Sequence, residues 1–267
     1  MSEKKYQYLS VVTDQRGVSL VRLNRPEVHN AFNEQMIAEI TQAFAELSGD
    51  AKTRMVILSG EGKSFCAGAD LNWMKKMVDY TREENYQDSL ALSQMFEVID
   101  LFPKPVIGFV HGAALGGGSG LVSCCDYVLA DKNAKFGFTE VQLGLIPGVI
   151  SPYVMAKIGL SQARAYFLSG ERFSAEQAQS MGLVHKVSDD FEKDSSEIIE
   201  KMLRPGKEAQ VQAKRLVRGV RDFTFESDER VKDFTCQMIS NVRTSDEGQE
   251  GMMALLEKRK PKWQGDA

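Results

Sequence analysis

The segment 110–120, VHGAALGGGSG, carries five glycines in eleven residues, with alanine and serine filling half of the remainder. So few Cβ atoms let the backbone approach a neighbour, or a ligand, unusually closely. An apolar run, 105–110, leads into the segment and reads as a buried strand, and a second apolar run, 121–130, follows. The fold must therefore carry a strand into a bare turn and leave it through packed apolar chain. If residues 115–118 open a helix, their N–H groups have no intrahelical acceptors and face whatever negative charge lies before them. The segment alone leaves two readings level: a tight turn or close helix packing, and an anion or oxyanion site built from backbone.

Around this turn, strand and helix signals alternate. Residues 18–23 (VSLVRL) read as a strand, followed by the polar loop 24–30 with Pro26 fixing one φ. Asn33 is placed to N-cap a helix to Leu47, with Met36, Ile37, Ile40, Phe44 and Leu47 on one face. A short strand is expected at 55–58, and a helix over 83–101 with Tyr86, Leu90, Phe96 and Ile99 among its apolar positions. Pro103 and Pro105 stop that helix. Beyond the glycines come a strand at 126–130, a loop-rich stretch 136–148, and short helices at 153–158 and 163–168. Ser174 with Gln177 forms a capping-box pattern that starts a helix to Met181, and a last strand is expected at 183–187. After Pro205 the pattern is helical throughout. Strands alternating with helices and then a helical tail predict an α/β fold with a C-terminal helical part, divided into 1–200 and 201–267.

Composition narrows the partners. A chain of 267 residues, 43% hydrophobic and 26% charged, has ample core for one large domain or two small ones. A net charge of −4 gives no nucleic-acid signature, so an anionic ligand would need local basic groups or backbone donors. Four cysteines without a CxxC pair, and three histidines, argue against a zinc centre. The N-terminal residues lack the apolar core of a signal peptide, and no apolar run reaches the ~18 residues of a membrane span. The expectation is a cytoplasmic protein with no membrane partner.

A second small-residue turn, FCAGADL (65–71), also follows an expected strand. One N–H from each turn can converge on a single oxygen, which is the geometry of an oxyanion hole. Glu140 lies in FGFTEVQLGLIPG (136–148) among Phe136, Phe138, Val141 and Leu143. It reads either as a surface carboxylate of a loop or, if buried, as a general acid/base with a raised pKa.

Taken together, these stretches resemble the enoyl-CoA hydratase/isomerase (crotonase) superfamily. The matching segments are LNRPEVHNAF (23–32), FCAGADL (65–71), PKPVIGFVHGAALGGGSGL (103–121), CDYVLAD (125–131), FGFTEVQLGLIPG (136–148), LSGERFSAEQAQSMGLVHKV (168–187) and LEKRKPKW (256–263). The resemblance implies a spiral of ββα units with a C-terminal helical trimerisation region. It implies acyl-CoA thioester substrates, no metal or organic cofactor, and a homotrimer or dimer of trimers. The family's oxyanion donors match the N–H groups of Ala69 and Gly117, and its acid/base matches Glu140. The stretch that meets the adenine end of CoA matches Ala67, Ala69, Asp70 and Leu71. The loop Arg25 to Ala31 is expected to flank the pantetheine and phosphates, with Gly116 and Gly120 as further substrate-binding residues. Arg25, Lys258 and Lys260 are the candidate phosphate partners.

One departure bears on the reaction. Family hydratases use two glutamates, and the first belongs where this chain has Gly120. Family isomerases typically keep only the second. GADLNWM (68–74) and VISPYV (149–154), by contrast, are similar to a bacterial subgroup of methylglutaconyl-CoA and related branched hydratases of leucine and terpenoid breakdown. The expected activity is hydration of a 2-enoyl-CoA, with isomerisation of a 3-enoyl-CoA as the alternative and a weak acyl-CoA-binding paralogue as a third. A small Gly120 is expected to leave room for a branched acyl group. Asn72, Trp73 and Met77 are read as acyl-pocket or core residues, and Cys66 as a buried filler. His111 precedes the glycine turn and is read as a packed or capping residue before a site contact, while His29 and His185 have no partner in view.

Overall fold

The computed structural model describes residues 6–222 and 228–265. They belong to two compact units, Met1–Phe102 with Val106–Ser195, and Pro103–Pro105 with Ser196–Ala267.

The strands of the first unit are β1 (Leu9–Thr13), β2 (Val18–Leu23), β3 (Met55–Gly60), β4 (Val106–Val110), β5 (Ala113–Leu115), β6 (Tyr127–Asp131), β7 (Lys135–Gly137), β8 (Arg172–Ser174) and β9 (Lys186–Ser188). Its helices are α1 (Glu34–Gly49), α2 (Leu71–Met77), α3 (Arg82–Asp100), α4 (Gly117–Ser123), α5 (Ser151–Ser169) and α6 (Ala175–Ser180), and α7 (Phe191–Leu203) starts within it. A six-stranded sheet runs β1-β2-β3-β4-β6-β9, and a three-stranded sheet runs β5-β7-β8. Only the β1–β2 pair of the large sheet is antiparallel. Its central strands β3 and β4 are buried at every residue, as strands covered on both faces must be.

The same unit recurs along the chain: a strand of the large sheet, a short extended segment, then a helix. β2 leads to Phe32 and α1, β3 to residues 65–69 and α2, β4 to β5 and α4, and β6 to β7 and α5. The short segments stack in parallel, Phe32 on Ala69, Cys66 on Ala114, and β5 on β7. This is the expected spiral of ββα units. The stacked segments bring residues far apart in sequence to one edge, where the two small-residue turns meet.

Local chemistry accounts for most boundaries. Asn33 caps α1 by accepting the Met36 N–H, and Met36, Ile37, Ile40, Ala43, Phe44 and Leu47 are buried. Ser174 and Gln177 form the expected reciprocal capping box of α6. Gly159, at φ 72°, kinks α5 into the two short helices that the sequence marks. The helix α3 differs from expectation in its first half. It buries Met95, Phe96 and Ile99, whereas Tyr86 and Leu90 stand exposed.

In the second unit, α8 (Lys207–Asp222) packs on α9 (Asp228–Thr244) and α10 (Asp246–Leu256). The Glu247 carboxylate accepts the N–H groups of Glu208 and Ala209 and so closes the start of α8. Among the described residues no helix is long and apolar enough to cross a membrane.

Candidate active site

The turn after β3 is zipped onto its neighbours on both sides. Cys66 N–H donates to Ala113 O, and Leu115 N–H donates back to Cys66 O. On the other side Phe32 N–H donates to Gly68 O, and Asp70 N–H to Phe32 O. A parallel bridge of that form uses the groups flanking Ala69 and turns its own N–H the opposite way. Gly117 is the first residue of α4, so its N–H has no partner within the helix. Among the described residues, neither N–H makes a hydrogen bond. The two turns lie side by side: a Cβ placed on Gly68 would stand 4.0 Å from the Gly117 nitrogen. Glycine is needed at both bends, since Gly68 has φ 97° and Gly116 φ 51°.

Glu140 opens a 3-10 turn, Glu140–Leu143, shortly after β7, the last of these stacked segments. Its carboxylate rests over the glycines, where a Cβ on Gly116 would lie 3.2 Å from Oε1. Oε2 is buried and has no hydrogen-bond partner. Burial raises the carboxyl pKa above its ordinary value, opposed only by a hydrogen bond from its own backbone N–H. The arrangement offers two donors without acceptors, and beside them one carboxylate that binds a proton more tightly than a solvated one. It can accept a carbon-bound or water proton while an adjacent oxygen gains charge.

Other expected contacts turn out differently. Arg25 is 8% exposed and its charge is spent inside the protein. It donates to Asp70 Oδ2 at 2.8 Å and to Ala31 O at 2.7 Å, and its guanidinium lies over the Tyr8 ring. An arginine so engaged cannot reach out to a phosphate. Asp70 is likewise internal: besides Arg25 it caps α2 by accepting the Asn72 N–H. Burial works to raise the Asp70 pKa, but the backbone and Arg25 hydrogen bonds together hold it below the usual range. Ala31 is buried, and Ala67 N–H is taken by His29 O. Leu71 is exposed, at 74%, and Ala69 is exposed as well. Lys258 and Lys260 are exposed residues of the second unit.

Gly120 does not leave open room. It is buried one helical turn beyond Gly116, and its missing side chain's place is filled by Ile150 Cγ2 and the Phe96 ring, the latter 3.0 Å from a built Cβ. Ser119 cannot substitute as a base, because its hydroxyl donates to Ala114 O at 2.6 Å. Cys66 is buried, with its thiol pKa pushed up to about 12 by desolvation, in keeping with a filler. Trp73 is a core residue anchored through Nε1 to Asp88. Each histidine has a partner: His111 Nε2 lies 2.9 Å from Gly62 O, His29 Nδ1 lies 3.1 Å from Ser64 Oγ, and His185 Nδ1 accepts the Val128 N–H. Asn30 is a buried residue the sequence did not single out. Its side chain accepts from Arg25 N–H and donates to Glu61 O and Ser64 O, fixing the loop before Phe32. Asparagine just before an apolar residue was the available signal, since it tolerates the positive φ (56°) found here.

Comparison with known proteins agrees with this layout. The family model described as enoyl-CoA hydratase/isomerase matches residues 13–266. The chain is similar to the 2,3-dehydroadipyl-CoA hydratase of Escherichia coli, with 31% identity over 96% of this chain and 98% of that one. It is also similar to the short-chain-enoyl-CoA hydratase of Clostridium acetobutylicum, with 31% identity over 94% and 96%. The crystal structure of an enoyl-CoA hydratase from Shewanella pealeana superposes with a TM-score of 0.93 at 38% identity, covering 98% of this chain and 97% of that one. With the family model spanning nearly the whole chain, and the stacked turns and the carboxylate placed as described, the protein belongs to the enoyl-CoA hydratase/isomerase family.

Proposed function

We propose that the protein hydrates 2-enoyl-CoA thioesters, with methylglutaconyl-CoA and related branched substrates as its class. The observation that carries the reading is the Glu140 carboxylate, whose Oε2 is buried without a hydrogen-bond partner, beside two backbone N–H groups that have no acceptor. The thioester oxygen accepts from Ala69 and Gly117 N–H. Glu140 takes a proton from water as the water oxygen bonds to C3, the C2–C3 electrons move toward the thioester, and the oxygen becomes an enolate. The same carboxyl then returns the proton to C2. Water has been added and Glu140 is again ionised, so one carboxylate serves in turn as base and acid. No metal or organic cofactor enters, because the thioester itself acidifies the carbon next to it. Support for the substrate class comes from the subgroup-like segments and from relatives that are themselves named hydratases, one of them of an acyl group bearing a second carboxyl. In this reading the helical second unit serves trimer formation.

One observation favours a second reading. At Gly120, where a hydratase of the family keeps its other glutamate, Ile150 and Phe96 leave an apolar wall. A lone base suffices for isomerisation of a 3-enoyl-CoA: Glu140 removes a C2 proton, and the dienolate is reprotonated at C4. Incubation with 2-enoyl-, 3-enoyl- and methylglutaconyl-CoA, followed by product mass, separates the two. Hydration adds the mass of one water to the first and third substrates. Conversion of the 3-enoyl thioester at constant mass, with no gain on the others, would make the protein an isomerase.

A further inference from the structure

We infer that Arg25 is a positioning residue for the Ala69 oxyanion donor, and not a contact for the substrate's phosphates. The inference rests on the reading of Ala69 N–H given above. Ala69 is exposed at the end of a turn, and one bridge, to Phe32, sets the direction of its N–H. That bridge is two hydrogen bonds long, and the residues flanking it are held separately. The guanidinium of Arg25 holds both. One terminal nitrogen holds Ala31 O, the residue before Phe32, at 2.7 Å. The other holds Asp70 Oδ2, the residue after Ala69, at 2.8 Å. The fork therefore spans the bridge, gripping the neighbour of each bridged residue. Its plane is braced by the Tyr8 ring, 4.6 Å from the guanidinium carbon. Its own backbone is fixed by Asn30, which accepts Arg25 N–H through Oδ1 and donates its N–H to Arg25 O. Asp70 is anchored in turn at the start of α2 by the Asn72 N–H. A planar, two-pronged cation can join two such anchors at once, and a lysine cannot. Only the Nε of Arg25 is left without a partner, and it too is buried.

The test uses Arg25→Lys, Arg25→Met and Asp70→Asn in the full-length protein. The readouts are steady-state kinetics on the preferred enoyl-CoA and the infrared C=O stretch of a bound saturated acyl-CoA labelled with 13C at the carbonyl. In the parent protein the stretch should move to lower wavenumber on binding, because the oxygen accepts two hydrogen bonds. Arg25→Met should lose much of that displacement and lower kcat roughly tenfold to a hundredfold, the cost of a small misplacement. KM should change much less, and Arg25→Lys should fall between. Asp70→Asn, which removes one anchor with little change of volume, should reproduce the pattern if Arg25→Met does not fold. A raised KM with unchanged kcat would overturn the inference in favour of a phosphate contact. A lowered kcat with the full carbonyl displacement would also overturn it, leaving Arg25 a purely structural residue. If the parent itself shows no displacement, the oxyanion reading fails and this inference fails with it.

Discussion

In the proposed reaction Glu140 exchanges protons, and burial of its carboxyl favours the protonated form. Replacing it with Gln keeps the shape and removes the base, so the rate should fall about 10²- to 10⁴-fold, as checked by turnover of enoyl-CoA. The ionised form is needed to begin the reaction. Since burial raises the pKa, the acid limb of the rate profile should lie above the ordinary carboxylate range. The same shift has a stability consequence of known sign. The folded chain binds this proton more tightly than the unfolded chain, so Glu140 adds stability in acid that is lost as pH rises through its folded value. Glu140→Gln should therefore melt above the parent near neutrality, with the gap closing in acid. Gly120 makes a different prediction. Alanine favours a helix over glycine, yet Gly120→Ala should cost about 1–3 kcal/mol by overpacking against Ile150 and Phe96. In an Ile150→Ala background, where Cγ2 is gone, urea unfolding should show that cost reduced. An equal cost in both backgrounds would mean that Ile150 is not what fills the space.

At the level of elements, the site depends on how closely α4 can approach the turn at Cys66. A Cβ on Gly118 would run into the Cys66 carbonyl oxygen, which already accepts the Leu115 N–H. Gly118→Ala should therefore lower both stability and activity, whereas Ser174→Ala, which removes only the α6 cap, should cost about 1 kcal/mol and leave kcat unchanged. Thermal melts and assays on the two variants check the contrast. The same comparison shows what a reader of the sequence can see. The caps of α1 and α6, the buried face of α1 and the break in α5 were legible because each is written in neighbouring residues, whereas the first half of α3 was misread. The short stacked segments β5 and β7 were not legible, since three residues carry no period and their pairing is long-range. The two small-residue turns and Glu140 were visible as motifs, and the resemblance singled out Ala69 and Gly117 within them. The roles of Arg25 and Asp70 were hidden, because a buried arginine reads as a surface one until its partner, 45 residues away, is known. The wall at Gly120 was hidden for the same reason: Ile150 lies thirty residues on and belongs to another turn of the spiral.

On the scale of the molecule, the spiral explains why chemistry gathers at one edge. Each ββα unit contributes one short segment, and stacking them aligns Phe32, Ala69, the glycines before α4 and Glu140 without any of them being near in sequence. Assembly is a separate prediction. If the second unit serves trimer formation, light scattering should give a mass that is a multiple of three 29.8 kDa chains. A monomer with full activity would contradict that role. In both proposed reactions Glu140 and the two backbone donors generate a thioester enolate, whichever product follows. That step is tested most directly with a saturated acyl-CoA, which can be neither hydrated nor isomerised, incubated with the protein in D2O and followed by NMR at C2. Protein-dependent exchange of the C2 hydrogens for deuterium is expected, abolished in Glu140→Gln. No exchange with the parent protein, or exchange undiminished in Glu140→Gln, would contradict it.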